Sequence, residues 1–172
     1  MLKQPLVLLL ASSLCALTAC SRSEAPEDVA AGESAGGNTR GDDSALSHVR
    51  AGARALAQPG ASVDYVAAEM EGVIMARTKS QSVMHYDGYR VTLTNPGDRV
   101  TQIMFHLVEA KPTIQQMTDA FGEAREVRKG MLYQQESATT GATIVILAEP
   151  VSMPADDGSL VRRIVIEGAR TR

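Results

Sequence analysis

Tyr89-Arg90-Val91-Thr92-Leu93-Thr94-Asn95-Pro96-Gly97-Asp98 reads as a half-buried strand running into a turn. Its odd positions from 89 to 93 are apolar and the even ones polar, and this period of two sends alternate side chains to opposite faces of a sheet. Asn95-Pro96-Gly97-Asp98 then reverses the chain. Pro96 fixes φ at about −65°, which suits a longer or type II-like turn better than a tight I′ turn. Beyond the turn, Thr101, Ile103, Phe105 and Leu107 alternate with Gln102, Met104 and His106. Residues 89–107 are therefore expected to form an antiparallel hairpin.

Upstream the period becomes helical. Leu46, Val49, Ala53 and Leu56 recur at spacings of three and four, with Ser44 or Asp43 placed to cap the start and Pro59-Gly60 to stop the helix. Ser62 is placed to cap a second helix whose face is Val63, Val66, Met70, Val73 and Ile74, weakened near its end by Gly72. Lys79-Ser80 and Ser82 read as a polar loop. Downstream, Thr113 with Gln116 three residues later has capping-box spacing, ahead of Ile114, Met117 and Phe121 on one face, and Gly122 fits the stop. Residues 127–135, 143–148 and 160–166 read as strands. The run 143–148 is apolar on both faces and so central in its sheet. Leu160, Ile164 and Ile166 are expected to share a face that Arg162 interrupts.

The fold class expected is α+β, an antiparallel sheet with helices packed on one face. Helix-then-hairpin occurs at 62–107 and again at 113–167, which raises an internal duplication as a hypothesis. The domain division expected is 1–19 as an export segment, 20–44 as a tether and 45–172 as a single folded domain. Residues 21–44 (SRSEAPEDVAAGESAGGNTRGDDS) are rich in Gly, Ser, Ala and acids with a single Val, too little apolar surface to offset chain entropy.

The N-terminus carries Lys3, then the apolar run Leu6–Leu17, then Leu17-Thr18-Ala19-Cys20. The run is too short for a comfortable bilayer span. The tetrapeptide resembles the lipobox of bacterial lipoprotein signal peptides at all four positions. The resemblance implies cleavage between Ala19 and Cys20, acylation of Cys20, and a lipid bilayer as the first partner; several acyl chains on one residue anchor durably. Ser21 after the cysteine implies, by the same resemblance, an outer-membrane location facing the periplasm.

The formal net charge is −3, and loss of Lys3 with the leader makes the processed chain one charge more acidic. Such a chain has no general pull toward nucleic acid, and Arg125, Arg128-Lys129 and Arg162-Arg163 form no continuous basic stripe in sequence. Nucleic-acid binding is not expected. Both cysteines, Cys15 and Cys20, belong to the export segment and lipobox, so thiol chemistry and thiolate metal sites are excluded from the folded domain.

His48, His85 and His106 occur without H-E-x-x-H or comparable metal spacing and read as surface or edge imidazoles. There is no G-x-S-x-G, S-x-x-K, P-loop or G-x-G-x-x-G. Asp156-Asp157-Gly158 reads as a turn rather than a calcium loop. No catalytic residue, metal site or cofactor is therefore expected. Tyr86, Asp87 and Tyr89 are the candidate binding surface, because exposed tyrosines act as amphipathic anchors; the competing reading packs one tyrosine inward. The methionines of the domain mostly fall on apolar periodic positions and read as core filler.

Thr113–Tyr133 (TIQQMTDAFGEAREVRKGMLY) has a capped helix, Phe-Gly, then a strand bearing Tyr. The pattern resembles small outer-membrane lipoproteins of the SmpA/OmlA type, which implies an accessory role in envelope assembly. The doubled helix-plus-sheet arrangement is also similar to the β-lactamase inhibitory protein architecture. The function expected is a non-catalytic, membrane-anchored module that binds an envelope protein through a sheet edge or loops. The alternative is a periplasmic inhibitor or immunity protein using loops 86–89 or 139–141. An enzyme or small-ligand carrier is the third class.

Overall fold

The computed structural model describes residues 39–168, with side chains from Asp43 onward. The expected export segment, Ala19, Cys20 and all of the expected tether up to residue 38 lie outside the described residues. Three helices and eight strands follow in the order α1 (Thr39–Leu56), α2 (Val63–Glu69), β1 (Ile74–Arg77), β2 (Gln81–Tyr86), β3 (Tyr89–Thr94), β4 (Gln102–Leu107), α3 (Ile114–Phe121), β5 (Arg125–Val127), β6 (Gly130–Glu136), β7 (Thr143–Pro150) and β8 (Val161–Gly168). The strands form one antiparallel sheet in the order β1-β2-β3-β4-β8-β7-β6-β5. The protein is thus a mixed α/β fold. The last strand, β8, closes the sheet by lying between β4 and β7.

The hairpin of 89–107 forms as its alternation dictates: Tyr89 pairs with Leu107, Val91 with Phe105 and Leu93 with Ile103. These six side chains are buried. The same sheet face continues through Met84, Ile164, Ile166, Ile146, Ala148 and Tyr133. Helix α1 approaches that face closely: a Cβ on Gly52 would stand 3.1 Å from Ile103 Cδ1 and 3.4 Å from Ile166 Cδ1. Helix α3 begins with a complete capping box. Thr113 Oγ1 accepts from Gln116 N at 3.1 Å and Gln116 Oε1 accepts from Thr113 N at 2.7 Å.

Several expectations are corrected. Helix α1 begins at Thr39, six residues before Ala45, so Asp43 and Ser44 stand inside it rather than at its cap. Helix α2 starts where Ser62 caps it but ends at Glu69. Val73 then lies outside the helix, 72% exposed, and Ile74 opens β1. Lys79-Ser80 form the exposed bend between β1 and β2, but Ser82 is not a loop residue: it is fully buried on β2 and donates to Asn95 Oδ1 at 3.2 Å. Residues 127–135 divide into β5 and β6 around Arg128-Lys129. Leu160 stays largely exposed while Val161 is buried, because the register slips at Glu149/Pro150 and reverses the alternation there. Met70, Met84 and Met117 are core, but Met75 and Met153 are exposed.

Candidate functional site

Two arrangements concentrate chemistry. The first is an aromatic and imidazole cluster at the β2–β3 turn. Cross-strand pairing sets Tyr86 opposite Tyr89, and the rings stack 5.0 Å apart at 9°. Helix α1 lays His48 over them, 4.5 Å from the Tyr86 ring, and the Tyr89 hydroxyl is hydrogen-bonded to His48 Nδ1. Tyr86 donates its hydroxyl to the Met70 carbonyl at 2.9 Å, tying the sheet to the end of α2.

Burial governs the electrostatics here. It pushes the His48 imidazole below its usual value, opposed by the Glu71 carboxylate. The Tyr86 phenol is pushed up to about 12 by burial, then by Tyr89 and Glu71. Burial likewise raises Tyr89, while a hydrogen bond from Ser44 opposes the rise. All three rings therefore favour their neutral forms near neutral pH, and a neutral imidazole can accept the Tyr89 proton. Such a pair holds α1 and the β2–β3 turn in register.

This geometry corrects the surface expected from Tyr86, Asp87 and Tyr89. Tyr89 is 3% exposed and points into the core, Tyr86 is half-buried in the stack, and only Asp87 stands open on the turn. Inward burial wins because both tyrosines share the sheet face that carries Met84 and Val91. The second candidate loop is also tethered: Thr140 Oγ1 donates to the Ala57 carbonyl at 3.0 Å.

The second arrangement lies on the opposite sheet face and was not legible from spacing in the chain. Register places His85, Arg90, His106, Arg163 and Glu149 side by side across β2, β3, β4, β8 and β7. Arg163 donates to Glu149 Oε2 from Nε at 2.9 Å and again from a terminal nitrogen. Glu149 is buried, and His106 is held below its usual value by burial, then by Arg90 and Arg163. The adjoining row reads Val83, Thr92, Met104, Val165, Leu147 and Leu132 across six strands. Apart from Val165 these are half-buried. The ionic row ends at a cleft of about 370 Å³ lined by Arg128, Lys129, Glu149, Met153, Arg162 and Arg163.

A separate cleft of about 410 Å³ opens between α1 and the β6–β7 loop, with Arg50, Arg54, Gln135 and Thr139 beside Ala57 and Ile144. Arg50 also stands 5.9 Å over the Phe121 ring.

Among the described residues no group of three His, Cys, Asp or Glu side chains is placed to hold a metal ion, and no helix is long and apolar enough to cross a membrane. No protein-family model, curated protein or solved structure matches this chain.

Proposed function

We propose that this chain is a lipid-anchored envelope lipoprotein, acylated at Cys20, whose folded domain is a non-catalytic module that docks a protein partner on the sheet face carrying Val83, Met104, Val165, Leu147 and Leu132. One observation carries the docking surface: a row that crosses six strands, apolar at every one but Thr92 on β3, beside the row of His85, Arg90, His106 and Arg163. Contiguous apolar surface bordered by polar rows is characteristic of protein-interaction faces. On this reading the helices share the other face, and the two helix-plus-four-strand halves that meet at β4 and β8 descend from a duplication. The lipobox supports the anchor and its location, since it implies export and acylation.

Photo-crosslinking in intact cells tests the docking face. A crosslinkable residue at Met104 or Leu132 should capture one discrete partner, and the same residue at Gly97, on the turn between β3 and β4, should not. Equal capture at all three positions, or at Gly97 alone, refutes the assigned face. Palmitate labelling lost on Cys20→Ala tests the anchor independently.

A second reading rests on the α1 cleft. Arg50 and Arg54 beside an alanine-rich wall suit a small amphipathic anion. Binding of the apolar anionic dye ANS that disappears in Arg50→Ala/Arg54→Ala would favour it; unchanged dye binding would dismiss it.

A further inference from the structure

We infer that the partner docking on this sheet face presents an acidic segment, received by a cationic band formed by Arg90, Arg163, Arg128 and Lys129, with the His106 imidazole between Arg90 and Arg163. The inference rests on the proposed docking face and specifies the chemistry of its occupant.

The chain as a whole is acidic, yet this strip is not. Arg90, His106 and Arg163 are register neighbours on β3, β4 and β8, and the Arg128-Lys129 turn extends the strip to the mouth of the cleft beside β7. Among the described residues, the ion pairs are Arg77 with Asp64 and Asp98, and Arg163 with Glu149. Arg90, Arg128, Lys129 and the neighbouring Arg162 have no acid paired with them there. Glu149, the acid within the strip, is buried and already engaged by Arg163. The unneutralised charge of the strip is therefore cationic, gathered in one row of an acidic protein, with Glu167 beyond the apolar row on the same sheet face.

Such segregation raises potential locally and steers an anionic surface into register with the apolar row beside it. From β3 to β6 the band spans on the order of 20 Å, four strand spacings, which matches about six residues of extended chain. The apolar row decides between protein and bilayer as occupant. The row offers little free side chain to insert below headgroups, Val165 being 9% exposed and the other members half-buried. They can pack against side chains that alternate with acidic ones.

The experiment uses the full chain in a non-ionic detergent and a fluorescent synthetic peptide alternating Glu with Val, about eight residues long to cover the band. Anisotropy should show binding that weakens as salt is raised. A peptide with Lys in place of each Glu should bind far less. Arg90→Glu/Arg128→Glu/Lys129→Glu should weaken the acidic peptide about tenfold or more, with the milder triple Gln variant intermediate. Lys79→Glu, in the β1–β2 bend, should leave it unchanged. Equal binding of both peptides, or unchanged affinity in the triple variants, overturns the inference. So does binding to phosphatidylglycerol vesicles without binding to the peptide, which would assign the band to a membrane. If crosslinking at Met104 persists while the acidic peptide fails, the docking face stands and the acidic occupant falls.

Discussion

Gly72 and Tyr86 occupy one another's space: a Cβ added to Gly72 would collide with the Tyr86 hydroxyl and stand 2.6 Å from Met84 Sδ. This closeness explains an inverted helix ending. The Gly72 N–H bonds to the Ala67 carbonyl at 2.8 Å and the Glu71 N–H to that of Ala68 at 3.1 Å, the two bonds of a Schellman ending. The left-handed position that glycine usually takes is held by Glu71, at φ 50°. Glycine sits one residue later because the tyrosine needs the room.

Gly72→Ala should therefore destabilise the protein by about 1–3 kcal/mol, as overpacking does. It forces the Tyr86 hydroxyl off the Met70 carbonyl. Tyr86→Phe removes the nearest colliding atom, so the double variant should lose less than the sum of the two single losses. Urea unfolding of the four proteins measures the coupling. Strict additivity would mean the collision is relieved elsewhere.

Replacing Glu71 with Gly should relieve the strained position and stabilise the fold by about 1 kcal/mol. The same change removes the carboxylate that raises His48, so the imidazole should titrate at lower pH than in the parent protein. Glu71→Gln separates the two effects, changing the titration without relieving the backbone. A histidine NMR titration together with urea midpoints reads both.

Acid should weaken this fold through two histidines. His48 faces Glu71, Tyr86 and Tyr89; His106 faces Arg90 and Arg163, with Glu149 beyond. Both are held below the unfolded value of 6.5. Below that value the unfolded chain binds more protons than the folded one, so stability rises with pH through this window and is lost as pH falls. Urea midpoints measured from neutral pH downward should drop as the solution passes 6.5, and less so in His48→Gln/His106→Gln. An identical acid profile in that variant would assign the loss to other groups.

Legibility in the sequence followed the source of burial. Where apolar contact alone buries a position, as at Val91, Leu93, Ile103 and Phe105, alternation revealed the strand. On β2 the inward positions are Ser82, Met84 and Tyr86 and the outward ones include Val83, so polarity is reversed at one end. Ser82 is buried by its bond to Asn95 instead, a partner thirteen residues away that no local pattern indicates. The capping box at Thr113 was legible because all its atoms lie within four residues. The His48–Tyr89 pair and the cationic band were not, since they exist only after register brings separated segments together.

Gly130 and Gly141 both hold positive φ, 152° and 64°, yet alanine should act differently at each. Around Gly141 no atom stands within 4 Å of an added Cβ, so Gly141→Ala pays only for its backbone conformation, about 1 kcal/mol. At Gly130 the Cβ would collide with the Ala148 carbonyl oxygen and lie 3.0 Å from its carbon. The obstacle is backbone within the sheet and cannot rotate away, so β6 must move. Gly130→Ala should cost clearly more in urea unfolding and shift the Arg128-Lys129 turn that it adjoins. Binding of the alternating Glu–Val peptide should weaken with it while remaining intact in Gly141→Ala. Comparable stabilities for the two variants would show that the close packing of β6 on β7 is not what Gly130 serves.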